Sequence, residues 1–146
     1  MKISKKAEYA LRAITAMGRS APGTTFSIQD IATRERIPPK FLEQILLTLK
    51  NSGILRSKRG VGGGYQTQRS ADKITLGDII EAIDGPIDPM PTATLGQPAS
   101  TAPATDCGLT KTMSLLRENL RAWLRATTIA DIIERDRPRG DVSFEI

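Results

Sequence analysis

The sequence predicts a mainly α-helical fold carrying one small β-hairpin, on three observations. Apolar residues recur at three- and four-residue spacing in several separate stretches, the mark of helices with one buried face. Strand-like runs border only one turn, Arg59-Gly60-Val61-Gly62-Gly63-Gly64, which is rich in the residue that tolerates positive backbone angles. Three Ser/Thr-x-x-Asp segments, at Ser27, Thr75 and Thr128, are helix-start capping boxes. A short helix, a tight turn, a second helix and a glycine-tipped hairpin in that order form a winged helix-turn-helix. A long C-terminal helix follows, so the fold class is mainly α with a small β-wing and an added dimerisation helix.

The elements follow in order. Ser4 caps a first helix whose stripe is Ala7, Ala10, Leu11, Ile14 and Met17. Lys2, Lys5 and Lys6 crowd its start, where cations oppose the helix dipole, so either a DNA phosphate or plain solvation accounts for them. Ser27 opens a short helix with Ile28, Ile31 and Ala32 inward, and Arg34 to Ile37 form the turn. Pro38-Pro39 starts the next helix, because the first helical position needs no amide hydrogen. That helix runs to about Asn51, burying Leu42, Ile45, Leu46 and Leu49 and turning Lys40, Glu43, Gln44 and Thr48 outward, with Gly53 as left-handed stop. The wing strands are Ile54–Lys58 and Tyr65–Gln68, and the wing carries Arg56, Lys58 and Arg59. Its glycine run is not a nucleotide cradle: no Gly-Lys-Ser/Thr follows, and the next element is a strand.

Thr75 opens a helix burying Ile79, Ile80 and Ile83, and Gly85-Pro86 ends it. Residues 86–106 hold five of the nine prolines among many Ala, Thr and Ser, as expected of a flexible loop without its own core. Cys107 precedes the long helix, whose apolar side is Met113, Leu116, Leu120, Trp123 and Leu124, with Arg117, Arg121 and Arg125 on another face. Thr128 starts a short closing helix with Ile132 and Ile133, and residues 137–146 form a tail. The expected division is therefore a winged-helix domain over 1–85, the loop over 86–106, and the dimerisation and closing helices over 107–136. The long stripe exceeds what a small winged-helix core needs. Paired reading helices meet successive major grooves about 34 Å apart, which favours a homodimer.

Charge and composition narrow the function. The 146-residue chain carries +5 overall, but residues 1–75 hold 14 Lys/Arg against 5 Asp/Glu and residues 76–146 hold 7 against 11, or +9 and −4. A basic first half suits a polyanion, and an outward Lys40, Glu43 and Gln44 beside a basic wing suits duplex DNA. Glutamate accepts from a cytosine amino group and glutamine pairs bidentately with adenine, although Glu43 could instead pair with and orient a lysine. No apolar run is long enough to cross a bilayer and the N-terminus lacks a signal peptide's apolar block, so a cytoplasmic protein without membrane partners is expected. With no histidine, a single cysteine and no paired carboxylates in a cleft pattern, nothing assembles a nucleophile and base, and no enzyme is expected. The reading from another class is a winged-helix protein-interaction module that no longer reads DNA.

Four motifs in order, MKISKKAEYALRA, IPPKFLEQIL, RGVGGGY and ITLGDIIEAIDGP, resemble the Rrf-two family of bacterial regulators, and TTIADII resembles its closing helix. The resemblance implies a homodimer that binds a palindromic operator on double-stranded DNA and usually represses transcription. It also implies that the long helices of two subunits cross at the interface. By the same resemblance Lys40, Glu43 and Gln44 face base edges, Arg59 enters the minor groove, and Lys2 and Ser27 meet phosphates. Arg56, Lys58 and Tyr65 complete the expected DNA-binding set on the wing. Cluster-bearing relatives place three cysteines before the long helix. This chain has Cys107 alone and no histidine, with Glu8 where some relatives use a carboxylate ligand. An iron–sulfur cluster normally takes four good ligands, so no cofactor is expected, and the signal falls to a protein or metabolite effector. Cys107 is left as an inert thiol, a redox switch favoured by a helix N-terminus, or, with Glu8, a relic ligand.

Overall fold

A computed structural model describes residues 2–89 and 108–136. The expected loop beyond residue 89, Cys107 and the tail from 137 lie outside the described residues. The elements are α1 (Lys5–Gly18), α2 (Ile28–Glu35), α3 (Pro39–Asn51), β1 (Leu55–Lys58), β2 (Gly64–Thr67), a 3-10 turn (Ala71–Lys73), α4 (Leu76–Asp84), α5 (Gly108–Ala126) and α6 (Ile129–Arg135). Mainly helical with one two-stranded antiparallel sheet, this is the expected fold class.

The core forms where the inner stripes of α1, α2 and α3 meet. Ala10, Ala13, Ile14, Ile31, Leu42, Ile45, Leu46 and Leu49 are buried together there, and Ile54, Leu55, Ile74 and Ile79 close it from the wing and α4. The small residues of α1, Ala7, Ala10 and Ala13, let the other helices approach closely, since each presents only a methyl group. The first helix is capped by Ser4, whose hydroxyl accepts from the Ala7 amide at 3.0 Å. Ser4 also donates through its own N–H and hydroxyl to Asp84 at the far end of α4, which fastens the start of one helix to the end of the other.

Of the three expected capping boxes, two close in both directions. Thr75 accepts from the Asp78 amide at 3.0 Å while Asp78 accepts from the Thr75 amide at 3.1 Å. Thr128 and Asp131 repeat the pattern at 3.2 and 2.8 Å. The third is corrected to a single cap: Ser27 accepts from the Asp30 amide at 3.1 Å, without the reciprocal bond.

Those two boxes sit side by side. Thr75 and Thr128 form an antiparallel bridge, with Leu76 N–H donating to the Thr127 carbonyl and Ile129 N–H to the Ile74 carbonyl, both at 2.9 Å. Helices α4 and α6 therefore start from one shared junction. Ile129 enters the main core, with Ile132 and Ile133 packed against it. The closing helix, expected to go with the dimerisation helix, thus packs as part of the winged-helix body. Gly18 at the end of α1 permits this, because a Cβ there would lie 3.0 Å from the Ile129 side chain.

A second, smaller cluster joins Ile80, Ile87 and Leu124. It corrects one expectation. Leu124, expected at the subunit interface, is buried within its own chain against α4. Ile87, at the head of the expected loop, is buried with it, and Asp88 lies 3.3 Å from Arg117 of α5.

Candidate nucleic-acid interface

The reading helix is positioned by what surrounds it. α3 begins at Pro39 with Pro38 ahead of it, as the missing amide hydrogens allow. Its roll about its own axis is set by Phe41, whose ring meets Tyr9 of α1 edge-on at 5.7 Å between centroids and 84° between planes. Lys5 and Arg12 lie 5.1 and 5.6 Å from the centre of the same Tyr9 ring.

The turn between α2 and α3 is held from α1. Arg12 donates to the Glu35 carbonyl, and its Nε lies 3.9 Å from the Glu35 carboxylate. Arg36 then adopts the left-handed conformation, φ 54° and ψ 48°, and is the non-glycine residue with positive φ among the described residues. That conformation lets Ile37 N–H donate back to the Ala32 carbonyl at 3.0 Å and buries the Ile37 side chain.

With Leu42, Ile45, Leu46 and Leu49 committed to the core, α3 turns Lys40, Glu43, Gln44, Leu47, Lys50 and Asn51 to solvent. Thr48, on the flank, uses its hydroxyl on the Gln44 carbonyl at 3.0 Å. Lys40, Glu43 and Gln44, expected from sequence as the reading residues, therefore share one exposed face. Leu47 belongs to that face and was missed. Its signal was the spacing 40, 43, 44, 47, which reading Leu as a core residue by type conceals.

The wing is a two-stranded ribbon, Leu55 opposite Thr67 through Lys58 opposite Gly64. At its tip Gly60 and Gly62 take φ of 98° and 74°, and Val61 projects fully into solvent. Arg59 and Lys58 are exposed beside it. The ribbon is moored along β2 by contacts that the sequence did not disclose. Phe26 and Tyr65 exchange both backbone hydrogen bonds at 2.8 Å, so the residue before Ser27 is a third, one-residue strand. Gly64 makes this approach feasible: a Cβ there would lie 2.1 Å from the Phe26 carbonyl oxygen.

Gln66 clamps the same corner. Its amide nitrogen donates to the Thr25 hydroxyl at 2.7 Å and the Gly23 carbonyl at 3.0 Å, while its oxygen accepts from Arg56 Nε at 2.8 Å. Arg56 thus spends one donor on the frame of the wing. Tyr65 is half-buried against the core and has its backbone in the Phe26 bridge. Ser27 caps α2 next to that bridge, so the wing is fixed to the start of α2.

The remaining expected residues lie elsewhere. Lys2 is exposed beside Asp84, Ile87 and Asp88, at the junction of the N-terminus with α4 and α5. Glu8 is exposed and paired with Lys5 at 3.1 Å, with its other oxygen at 3.3 Å. Cys107 lies outside the described residues, among which no group of three or more His, Cys, Asp or Glu could hold a metal ion. Among the described residues, no helix is long and apolar enough to cross a membrane.

Along α5, Leu109, Met113, Leu116, Leu120 and Trp123 follow one another at alternating four- and three-residue steps, the spacing of a helix–helix seam. Leu109, Leu116 and Trp123 are exposed among the described residues, at 61, 47 and 51 per cent, whereas Leu120 packs against the cluster of Ile80, Ile87 and Leu124. Leu124, one residue and about 100° past Trp123, is buried beside Leu120 against Ile80 of α4, which is why it leaves the set.

Comparison with known proteins agrees with this architecture. The family model of Rrf2, described as an iron-dependent transcriptional regulator, matches residues 3–135. A Mycobacterium tuberculosis protein named as an HTH-type transcriptional regulator is 38% identical over 132 residues, covering 90% of this chain and 81% of its own. The structure of CymR, titled the global cysteine regulator of Bacillus subtilis, superposes with a TM-score of 0.74 at 29% identity, covering 92% of this chain and 98% of that one. An IscR structure from T. potens gives 0.71 at 25% identity over 92% and 88%. Read with the winged helix-turn-helix and its polar reading face, these likenesses place the chain in the Rrf2 family of transcriptional regulators.

Proposed function

We propose that the protein is a homodimeric repressor that reads a palindromic operator on double-stranded DNA. The observation that carries this is the shared frame: Lys40, Glu43 and Gln44 exposed on one face of α3, and Lys58 and Arg59 exposed on a wing moored to the start of α2. The polar helix face fits a major groove, and the basic ribbon beside it fits the adjoining backbone and minor groove. Glu43 accepts from a cytosine amino group and Gln44 pairs with adenine. Ser27 and Lys58 hydrogen-bond or neutralise phosphates, and Arg59 enters the minor groove. The seam on α5 pairs with its copy and spaces two reading helices one helical turn apart. Occupancy of the operator then excludes the transcription machinery.

The donor set does not fit an iron–sulfur cluster. The chain offers Cys107 and no histidine, so even a dimer brings two thiolates, and Glu8, the nominal further ligand, is paired with Lys5. The proposed regulator therefore works without a cluster and without catalysis, and answers to a protein or metabolite effector.

The test is selection of duplexes from a random-sequence library by the purified protein, followed by gel shifts and iron analysis of anaerobically prepared material. Recovery of an inverted repeat by a colourless dimer supports the reading. Recovery of no preferred duplex at moderate salt favours a protein-interaction module, and iron with visible absorption revives a cluster.

A further inference from the structure

The exposed face of α3 contains one side chain that no hydrogen-bonding role explains. Leu47 is 49 per cent exposed, although leucine at any inward position of this helix is fully buried. At about 100° per residue, it lies in the middle of the stripe made by Lys40, Glu43 and Gln44 and roughly opposite Leu42, Ile45, Leu46 and Leu49. It is therefore not a core residue at the edge of the interior. It stands three and four residues beyond Gln44 and Glu43, about 5 Å further along the axis, the length of one to two base-pair steps.

We propose that Leu47 is a specificity-determining residue that reads the C5-methyl group of a thymine in each half-site. This rests on the DNA reading proposed above. A leucine side chain has no donor or acceptor, so it can discriminate only by shape and apolar contact. The thymine methyl is the apolar feature that a natural base pair presents on the floor of the major groove. Glu43 and Gln44 would recognise their bases by hydrogen bonds, and Leu47 would add a thymine adjoining them on the C-terminal side of the helix. Its contact also expels water from beside those two polar side chains, which strengthens their bonds.

The experiment uses the full-length protein and the duplex it selects from a random library, with each thymine replaced in turn by uracil, which removes only the methyl group. The expected result is one thymine per half-site whose replacement weakens the wild-type protein about fourfold, or about fifteenfold when both half-sites are changed, the effect of one buried methyl each. Leu47→Ala should bind the thymine and uracil duplexes equally, and Leu47→Met should keep most of the discrimination. Because Leu47 packs on the outside of the helix, both variants should keep the wild-type circular dichroism and melting temperature. Insensitivity of the wild type to uracil at every position overturns the proposal and leaves DNA reading standing. So does an unchanged thymine-to-uracil ratio in Leu47→Ala. Failure to select any duplex overturns the operator reading and this proposal together.

Discussion

Replacing Gly64 by alanine tests whether the wing owes its position to one backbone junction. The added Cβ would lie 2.1 Å from the Phe26 carbonyl oxygen and 2.7 Å from the carbonyl carbon, both rigid main-chain atoms. Ordinary contact needs more than 3 Å, so the two segments must part by about 1 Å. The two 2.8 Å hydrogen bonds between Phe26 and Tyr65 cannot survive that separation. At about 0.5–1.5 kcal/mol each, their loss costs roughly 1–3 kcal/mol. The cost should appear as a lower urea midpoint with an unchanged slope, since the surface exposed on unfolding stays the same. Operator affinity should fall by more than stability alone explains, because the displaced wing no longer meets the DNA backbone. A Gly64→Ala protein within about 0.5 kcal/mol of wild type, with normal operator affinity, would refute the reasoning.

Four further outcomes are expected. Arg36→Gly removes a side chain from a left-handed backbone position and should raise stability by up to about 1 kcal/mol, measured by thermal melting; lower stability would contradict the view of that turn. Hydrogen bonds from the backbone and then the hydroxyl of Thr128 hold the Asp131 carboxyl below its ordinary value of 3.8. The stabilisation this lends α6 is present above that ordinary value and is lost as pH falls through the lower folded value, so carboxyl NMR should show Asp131 titrating below a free aspartate and Thr128→Val should move it up. Arg59→Ala should weaken operator binding and lower the log–log salt slope by about 0.9 per arm, or nearly two per dimer; an unchanged slope would remove Arg59 from the interface. Leu116→Asp places a charge in the exposed seam of α5 and should yield monomers in sedimentation at micromolar concentration, with α-helical content retained.

Much of the fold was legible because the signals were local. Pro38-Pro39 marks the start of the reading helix, Gly53 with φ 78° closes it, and Thr75 and Thr128 form the expected reciprocal boxes. What escaped was tertiary. Phe26 reads as an ordinary loop residue until Tyr65 is brought beside it, and Gln66 reads as a strand residue until Thr25 and Gly23 meet its amide. The Ser27 box closes only halfway, because a sequence pattern specifies the participants but not whether the Asp30 carboxylate turns back. Leu124 was misplaced for a related reason. A stripe of apolar residues does not say where one contact face ends, and 100° of rotation past Trp123 takes the side chain from the seam to Ile80 and Ile87. Leu47 escaped for the opposite reason: an apolar side chain does not announce an outward face, although its spacing from Lys40, Glu43 and Gln44 places it there.

The most direct measurement of the central claim is a hydroxyl-radical and methylation-protection footprint of the full-length protein on its selected duplex. The account predicts two protected major-groove segments centred about 34 Å apart, one helical turn, each flanked by a wing contact that disappears in Arg59→Ala. Protection of a single segment by a monomer, or uniform protection that does not change when the bases facing Glu43 and Gln44 are altered, would contradict it.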